Sequence, residues 1–213
     1  MSRLWVLLCA SVLCMGTASV QGLVRNPMSV GEKFSYFEER VFGPRALVMS
    51  SIGSGIRMLH PPNGYPREWR VGPGAFGRYM GDRYARHAAE NTARFAASAL
   101  LHEDPRYVRS TDSDFFARVA HAIGYTFADR TDGGRRTLAV SNFASTAAGG
   151  FVGNAYLPDG FNNTRHAEQR AVGMFAGMAG RNLAAEFAPD IGRALHGLHL
   201  PRFNRIPVWW TSK

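Results

Sequence analysis

The sequence predicts an all-α protein, a compact helical bundle, and three observations support that fold class. Apolar residues recur at helical spacing in several segments that glycine and proline separate. The segment from Pro73 to Leu101 has no internal proline and places its apolar and charged residues on opposite sides. Two uncharged segments carry small residues four positions apart, a spacing that lets helix backbones pack closely.

The first three predicted helices follow from caps and breaks. Ser29 with Glu32 three residues later fits a capping box at the start of a helix. Gly43-Pro44 ends that helix, and a second is predicted from Arg45 to Leu59. Pro73 suits the first turn of the long amphipathic helix that follows.

The remaining predicted elements lie in the second half of the chain. Residues Thr111 to Asp114 open a helix, and Asp132 to Gly134 form a turn. We expect a further helix from about Arg165 to Ala188 and a short one from Asp190 to about Leu195.

These elements divide the chain into five predicted parts. They are a signal peptide at 1–22, an N-terminal helical arm at 23–59, a Pro/Gly-rich linker at 60–72, the helical bundle at 73–198 and an irregular aromatic and basic tail at 199–213.

The N-terminus is typical of a bacterial secretory signal peptide. Arg3 supplies the positive charge, Leu4 to Met15 is an uncharged and mostly apolar run, and small residues follow it. Cleavage after Ala18, Ser19 or Gly22 fits the pattern equally well. We therefore expect an exported protein of the periplasm or envelope, with a retained N-terminal anchor as the alternative.

Cysteine and charge narrow the classes of function. Cys9 and Cys14 are the only cysteines, so a chain cleaved as predicted would contain no disulfide, thiolate nucleophile or cysteine metal ligand. The formal net charge is +9, and Lys33 and Lys213 are the only lysines. A basic exported protein suits an anionic membrane surface or an acidic envelope polymer better than nucleic acid. The alternative is that the arginines reflect only the base composition of a GC-rich genome.

Two uncharged segments raise the question of a membrane span. Residues 138–158 contain too many polar side chains and glycines for favourable insertion, and 171–180 is too short. Buried, closely packed helices are the preferred interpretation, with a transmembrane span as the alternative. The small residues assigned to that packing are Gly149, Gly153, Gly173 and Gly177.

The most polar cluster is His102, Glu103 and Asp104, directly after the long helix. A histidine and two carboxylates suit acid–base chemistry or metal binding, and they are weak catalytic candidates. However, adjacent side chains at the end of a helix point in different directions, so a structural role is the preferred interpretation. No metal site and no cofactor is predicted, and the common hydrolase and phosphate-binding motifs are absent from the sequence.

The tail mixes aromatic and basic side chains, which suits a membrane interface or a partner surface. Its candidate interface residues are Arg202, Phe203, Arg205, Trp209 and Trp210. The preferred interpretation is nevertheless an extended tail docked over the domain, with its tryptophans covering the core.

Four phrases of the sequence together resemble a family of uncharacterised exported bacterial proteins, known from soil bacteria. They are Ala99 to Tyr107, Asp132 to Gly134, Asn154 to Asp159 and Phe187 to Ile191. The resemblance covers about residues 70 to 195 and is specific in the first phrase and loose in the others. Since the family has no assigned activity, the resemblance implies no catalytic residues.

We therefore expect a non-enzymatic cell-envelope protein that packs with itself, as a homo-oligomer, with a partner, or with the membrane surface. The competing hypothesis is a periplasmic metal-assisted hydrolase that uses His102, Glu103 and Asp104. A weaker third hypothesis is a binding module for acidic glycan or nucleic acid.

Overall fold

The computed structural model describes residues 26–197, and in that range the predicted all-α bundle is confirmed. The elements are α1 (Val30–Phe42), α2 (Pro44–Leu59), α3 (Arg67–Arg70), α4 (Pro73–Leu100), α5 (Phe115–Gly124), β1 (Ala128–Arg130), β2 (Arg136–Leu138), α6 (Val140–Phe151), a 3-10 turn (Val152–Ala155) and α7 (Thr164–Gly197).

The helix starts follow the local signals of the sequence. The Glu32 backbone N–H donates to Ser29 Oγ at 3.3 Å, and the Ser29 N–H donates to the Glu32 carboxylate at 2.8 Å, which confirms the capping box. Pro73 occupies the first turn of α4. Asp114 caps α5 by accepting from the Ala117 N–H at 2.8 Å.

The bundle is arranged around α4. Helices α1 and α2, which form the predicted arm, pack along α4 in the opposite chain direction, so that Lys33 meets Ser98 and Ser51 meets Met80. Helix α6 packs on α4 and on α7, and α5 packs on α7. Helix α6, the uncharged segment in which the sequence placed a buried helix, therefore lies between α4 and α7.

The middle of the bundle is polar. Ser141, Asn142, Ser145 and Thr146 of α6 are fully buried. The hydroxyls of Ser145 and Thr146 donate to the Asn142 carbonyl oxygen at 2.8 and 3.0 Å, within their own helix. Small polar side chains bonded in this way leave a thin helix face, on which neighbouring helices can approach.

The predicted linker is partly structured. It contains α3, and Trp69 of that helix is buried in an apolar cluster with Tyr79 and Leu157. Met58 and Tyr65 pack against this cluster.

The structure differs from the sequence-based expectation in two places, the last helix and a short β-hairpin. Helix α7 is continuous through Pro189, so the prediction of two separate helices, 165–188 and 190–195, is wrong. Arg118 explains the continuity, because it donates to the Glu186 carboxylate at 2.9 Å, to the Glu186 carbonyl at 2.9 Å and to Asp190 Oδ2 at 2.7 Å. It thus joins the turns on either side of the proline, whose missing N–H weakens the helix there.

The second difference is the antiparallel β1–β2 hairpin, which the sequence did not predict. Its strands have three residues each, too few to show an alternating pattern. The turn between them is confirmed: the Gly134 N–H donates to the Thr131 carbonyl at 2.8 Å, and Gly134 has a φ of +80°.

Candidate functional site: an outward apolar helix face above a polar interior

The side of α2 that contacts α4 is made of small residues. Ala46, Ser50 and Ser54 are buried there. A Cβ atom on Gly53 would meet the guanidinium of Arg83 from α4, which is the far end of a flexible and exposed side chain. Small residues on the inner side allow α2 to lie close to α4 without using its large side chains.

The large apolar side chains of α2 face away from the bundle. The α2 outward face consists of Val48, Ile52, Ile56 and Leu59, which are between 43% and 76% exposed. Their spacing of four, four and three residues places them on one side of the helix. Leu47 and Met49 flank this face and are also exposed. This is the reverse of an ordinary surface helix, which buries its apolar side.

Helix α6 shows a weaker form of the same inversion. Its buried side is polar or small, whereas Val140, Phe143 and Phe151 are each about 40% exposed. Contiguous apolar patches that stay exposed on a protein surface mark interaction sites. The two helices differ in that Phe143 packs against the Phe175 ring, with centroids 5.0 Å apart, while no aromatic ring among residues 26–197 covers the α2 outward face in this way.

Glu103, a catalytic candidate, holds the start of α6. Its side chain is 2% exposed, and its two carboxylate oxygens accept from the Val140 N–H at 3.1 Å and the Ser141 N–H at 3.0 Å. A carboxylate in this position satisfies free N–H groups and interacts favourably with the helix dipole.

His102 and Asp104 point elsewhere. Asp104 pairs with the Arg106 guanidinium at 2.6 Å and also accepts from the Arg106 N–H at 3.0 Å. His102 has a φ of +55° and an exposed ring whose Nδ1 lies 3.7 Å from Asp132 Oδ2. The three candidate side chains therefore have three different surroundings. Among residues 26–197, no group of three or more His, Asp or Glu side chains is placed to hold a metal ion.

Lys33 is a buried charge that the functional analysis of the sequence did not select. It is 2% exposed, and its Nζ donates to Asp132 Oδ2 at 2.7 Å and to the Ser98 carbonyl at 3.0 Å. These bonds tie α1 to the end of α4 and to the β-turn. A signal was present, because lysine occurs only twice in a chain that otherwise uses arginine.

Asp129 on β1 is the most perturbed carboxyl group of this region. It is 1% exposed, and its Oδ1 accepts from the Arg130 N–H at 2.8 Å, while Oδ2 finds no hydrogen-bond partner in the part of the chain that the structure describes. Burial, supported by the nearby charges of Glu103 and Asp104, raises its pKa to about 7, although Arg94 acts in the opposite direction. The group holds a proton near neutrality, but its burial keeps it from contact with a substrate.

The four glycines assigned to helix packing have different surroundings. A Cβ atom on Gly149 would meet the Met174 side chain, and one on Gly153 would lie 2.9 Å from Leu157 Cδ1. Around Gly173 such an atom would meet nothing within 4 Å, and at Gly177 its nearest neighbour would be Arg181 at 3.9 Å.

Gly150, which the sequence analysis did not select, has the closest contact with another helix backbone. A Cβ atom there would lie 2.8 Å from the Ala167 carbonyl oxygen of α7 and 2.9 Å from the Ala171 nitrogen.

The predicted interface residues of the tail (Arg202, Phe203, Arg205, Trp209 and Trp210) and the predicted signal peptide lie outside the described residues. Within the described part, no helix combines the length and the apolar content that crossing a bilayer requires. No protein-family model, curated protein or solved structure matches this chain.

Proposed function

We propose that this protein is an exported, non-enzymatic component of the cell envelope, and that it binds another envelope component through the α2 outward face. The observation that carries the proposal is the inverted polarity of α2. Small residues occupy its inner side, and four large aliphatic side chains occupy its outer side.

The inversion is costly unless the face becomes covered. Burial of a large aliphatic side chain contributes about 1.5–3 kcal/mol relative to full exposure, so covering four half-exposed ones contributes several kcal/mol. None of this energy is used within residues 26–197, because these side chains stay exposed there. It is available for binding, and a cover of any kind would recover it.

The polar cluster gives the hydrolase hypothesis less support than the α2 outward face gives a binding function. Both oxygens of Glu103 accept hydrogen bonds from the start of α6, and Asp104 is paired with Arg106. These bonds satisfy the carboxylates and explain their positions by folding alone.

Fractionation of the native host tests the proposal. Cells carrying the full chain, with a tag after Lys213, are separated into soluble and envelope fractions, and the envelope is washed with high salt and then with carbonate. We expect wild type in the envelope fraction and the Ile52→Ser/Ile56→Ser variant largely in the soluble fraction. The matched control is Val172→Ser, because Val172 is a 68% exposed aliphatic residue on α7.

Equal retention of the double variant and wild type would contradict the proposal. Elemental analysis of the purified protein tests the competing hydrolase: a stoichiometric metal that is lost in His102→Ala would replace our proposal with that one.

A further inference from the structure

We propose that the component covering the α2 outward face is the surface of an anionic lipid bilayer, with α2 lying parallel to it. This inference rests on the proposed function and names the partner of the same face. Three properties of α2 and its neighbours lead to it: the length of the helix, its charge, and the area that it offers.

The length of α2 suits a helix that lies along a membrane. Its 16 residues extend over about 24 Å, at 1.5 Å per residue. A spanning helix needs about 20 apolar residues, whereas a helix that lies in the interfacial plane needs only one continuous apolar side. The α2 outward face provides that side along three turns, from Val48 to Leu59.

The charge of α2 suits anionic head groups. The helix contains no acidic residue. Arg45 lies on the side of the α2 outward face, whereas Arg57 continues the inner row of Ala46, Ser50 and Ser54. Met58 near its C-terminal end packs against the cluster that contains Trp69, which brings α3 close to that end. Helix α3 adds exposed arginines at both of its ends, Arg67 and Arg70, against one exposed glutamate between them. Anionic head groups attract basic side chains next to an inserted apolar face.

A second copy of the chain is a poorer partner for this face. A helix side about 24 Å long and about 10 Å wide offers about 240 Å², so two copies would bury about 480 Å² through α2 alone. Stable protein interfaces bury about 1,200 Å² or more in total. A bilayer has no such lower limit of area.

Vesicle sedimentation tests the inference. The full chain is mixed with vesicles of phosphatidylcholine alone or with one third phosphatidylglycerol, at low and at high salt. We expect wild type to bind the anionic vesicles, and this binding to fall as salt rises. Ile52→Ser/Ile56→Ser should weaken the partition at least 10-fold, and Arg45→Gln, on the same side of the helix, about 5-fold. Val172→Ser should bind like wild type.

Two results would overturn the inference. One is that wild type binds neither kind of vesicle, or binds both equally at all salt concentrations. The other is that the double variant binds anionic vesicles as tightly as wild type, which would assign binding to a part of the chain other than α2. Because all four substituted side chains of these variants are exposed, circular dichroism should show unchanged folding.

The host fractionation separates this inference from the proposed function. Release of Ile52→Ser/Ile56→Ser from the host envelope, combined with vesicle binding equal to that of wild type, would refute the lipid partner and keep the α2 outward face as a binding surface. Retention of the same variant in the host envelope would refute the proposed function itself.

Discussion

Helix α2 and the junction formed by residues 102–141 differ in which side chains they bury. At the junction, Glu103 is buried together with Lys33 of α1, which bonds to Asp132, and each of the two charged groups has hydrogen-bond partners. On α2, aliphatic side chains are exposed while serine and glycine face the neighbouring helix. Hydropathy alone predicts the reverse in both places.

The comparison shows what decides burial in this fold. A charge is tolerated inside when geometry supplies its partners, as the first N–H groups of α6 do for Glu103. A small residue is needed inside when another helix passes close by, as α7 does at Gly150. The large side chains of α2 are excluded from such a contact and face outward. The junction therefore contributes to stability, and binding is the function that we propose for α2.

The largest expected effect concerns Asp129 and pH. Its folded pKa of about 7 lies about three pH units above the ordinary aspartate value of 3.8. Between these values the unfolded chain releases the proton while the folded chain keeps it. The free energy of unfolding contributed by this group should therefore fall as pH rises from about 4 to 7, by roughly 4 kcal/mol at most, and stay level above pH 7.

Urea denaturation of Asp129→Asn at several pH values checks this effect. The amide resembles the protonated acid, so the variant should lack the decline and be more stable than wild type at pH 8. Glu168→Gln, at an exposed site on α7, is the control and should keep the wild-type profile. An Asp129→Asn profile parallel to that of wild type would refute the buried, protonated carboxyl.

Removal of the Glu103 carboxylate should have the next largest effect. Glu103→Ala leaves the N–H groups of Val140 and Ser141 without their acceptor in a buried site, which should cost about 3 kcal/mol of unfolding free energy. Glu103→Gln keeps one acceptor oxygen and should cost about half as much. Urea denaturation measures both variants, with Glu168→Ala as the control. A change in unfolding free energy close to zero for Glu103→Ala would mean that the carboxylate is retained for chemistry and not for folding.

Two glycine substitutions should differ in sign. Gly150→Ala forces a methyl group against the backbone of α7 and should destabilise the protein by about 2 kcal/mol. Gly173→Ala meets nothing within 4 Å and should stabilise its helix by about 0.5–1 kcal/mol. Thermal unfolding followed by circular dichroism compares them. Equal effects of the two substitutions would contradict the close approach of α6 and α7.

The smallest effect on stability should come from the α2 outward face. Ile52→Ser/Ile56→Ser removes apolar groups that no other described residue buries, so the free energy of unfolding should change by less than about 1 kcal/mol. Chemical denaturation of the purified variant measures it. A loss of several kcal/mol would show that another part of the chain covers this face, and the face would then belong to the fold.

Sequence signals for helix starts were reliable because caps act locally. Ser29 with Glu32, Asp114 and Pro73 each determine a helix start through atoms within a few residues. The long α7 could not be predicted from its own residues, because continuity at Pro189 depends on Arg118 from α5.

The candidate site was harder to predict because it depends on contacts between residues that are distant in the sequence. Periodicity identified the apolar residues of α2, but it cannot tell which side of a helix its neighbours cover. The role of Glu103 likewise requires the start of α6, 37 residues further along the chain. The spacing of Gly149 and Gly153 indicated close packing, whereas the backbone contact of Gly150 depends on where α7 passes.

The most direct test of the central claim is chemical accessibility of α2 in its native setting. A cysteine at position 52 (Ile52→Cys) is labelled with a maleimide in isolated envelopes and again after the protein has been purified, with Val172→Cys as the reference and wild type as the background. Our account predicts that position 52 is protected in the envelope and reactive after purification, while position 172 reacts in both. Equal reactivity of position 52 in both states would contradict it.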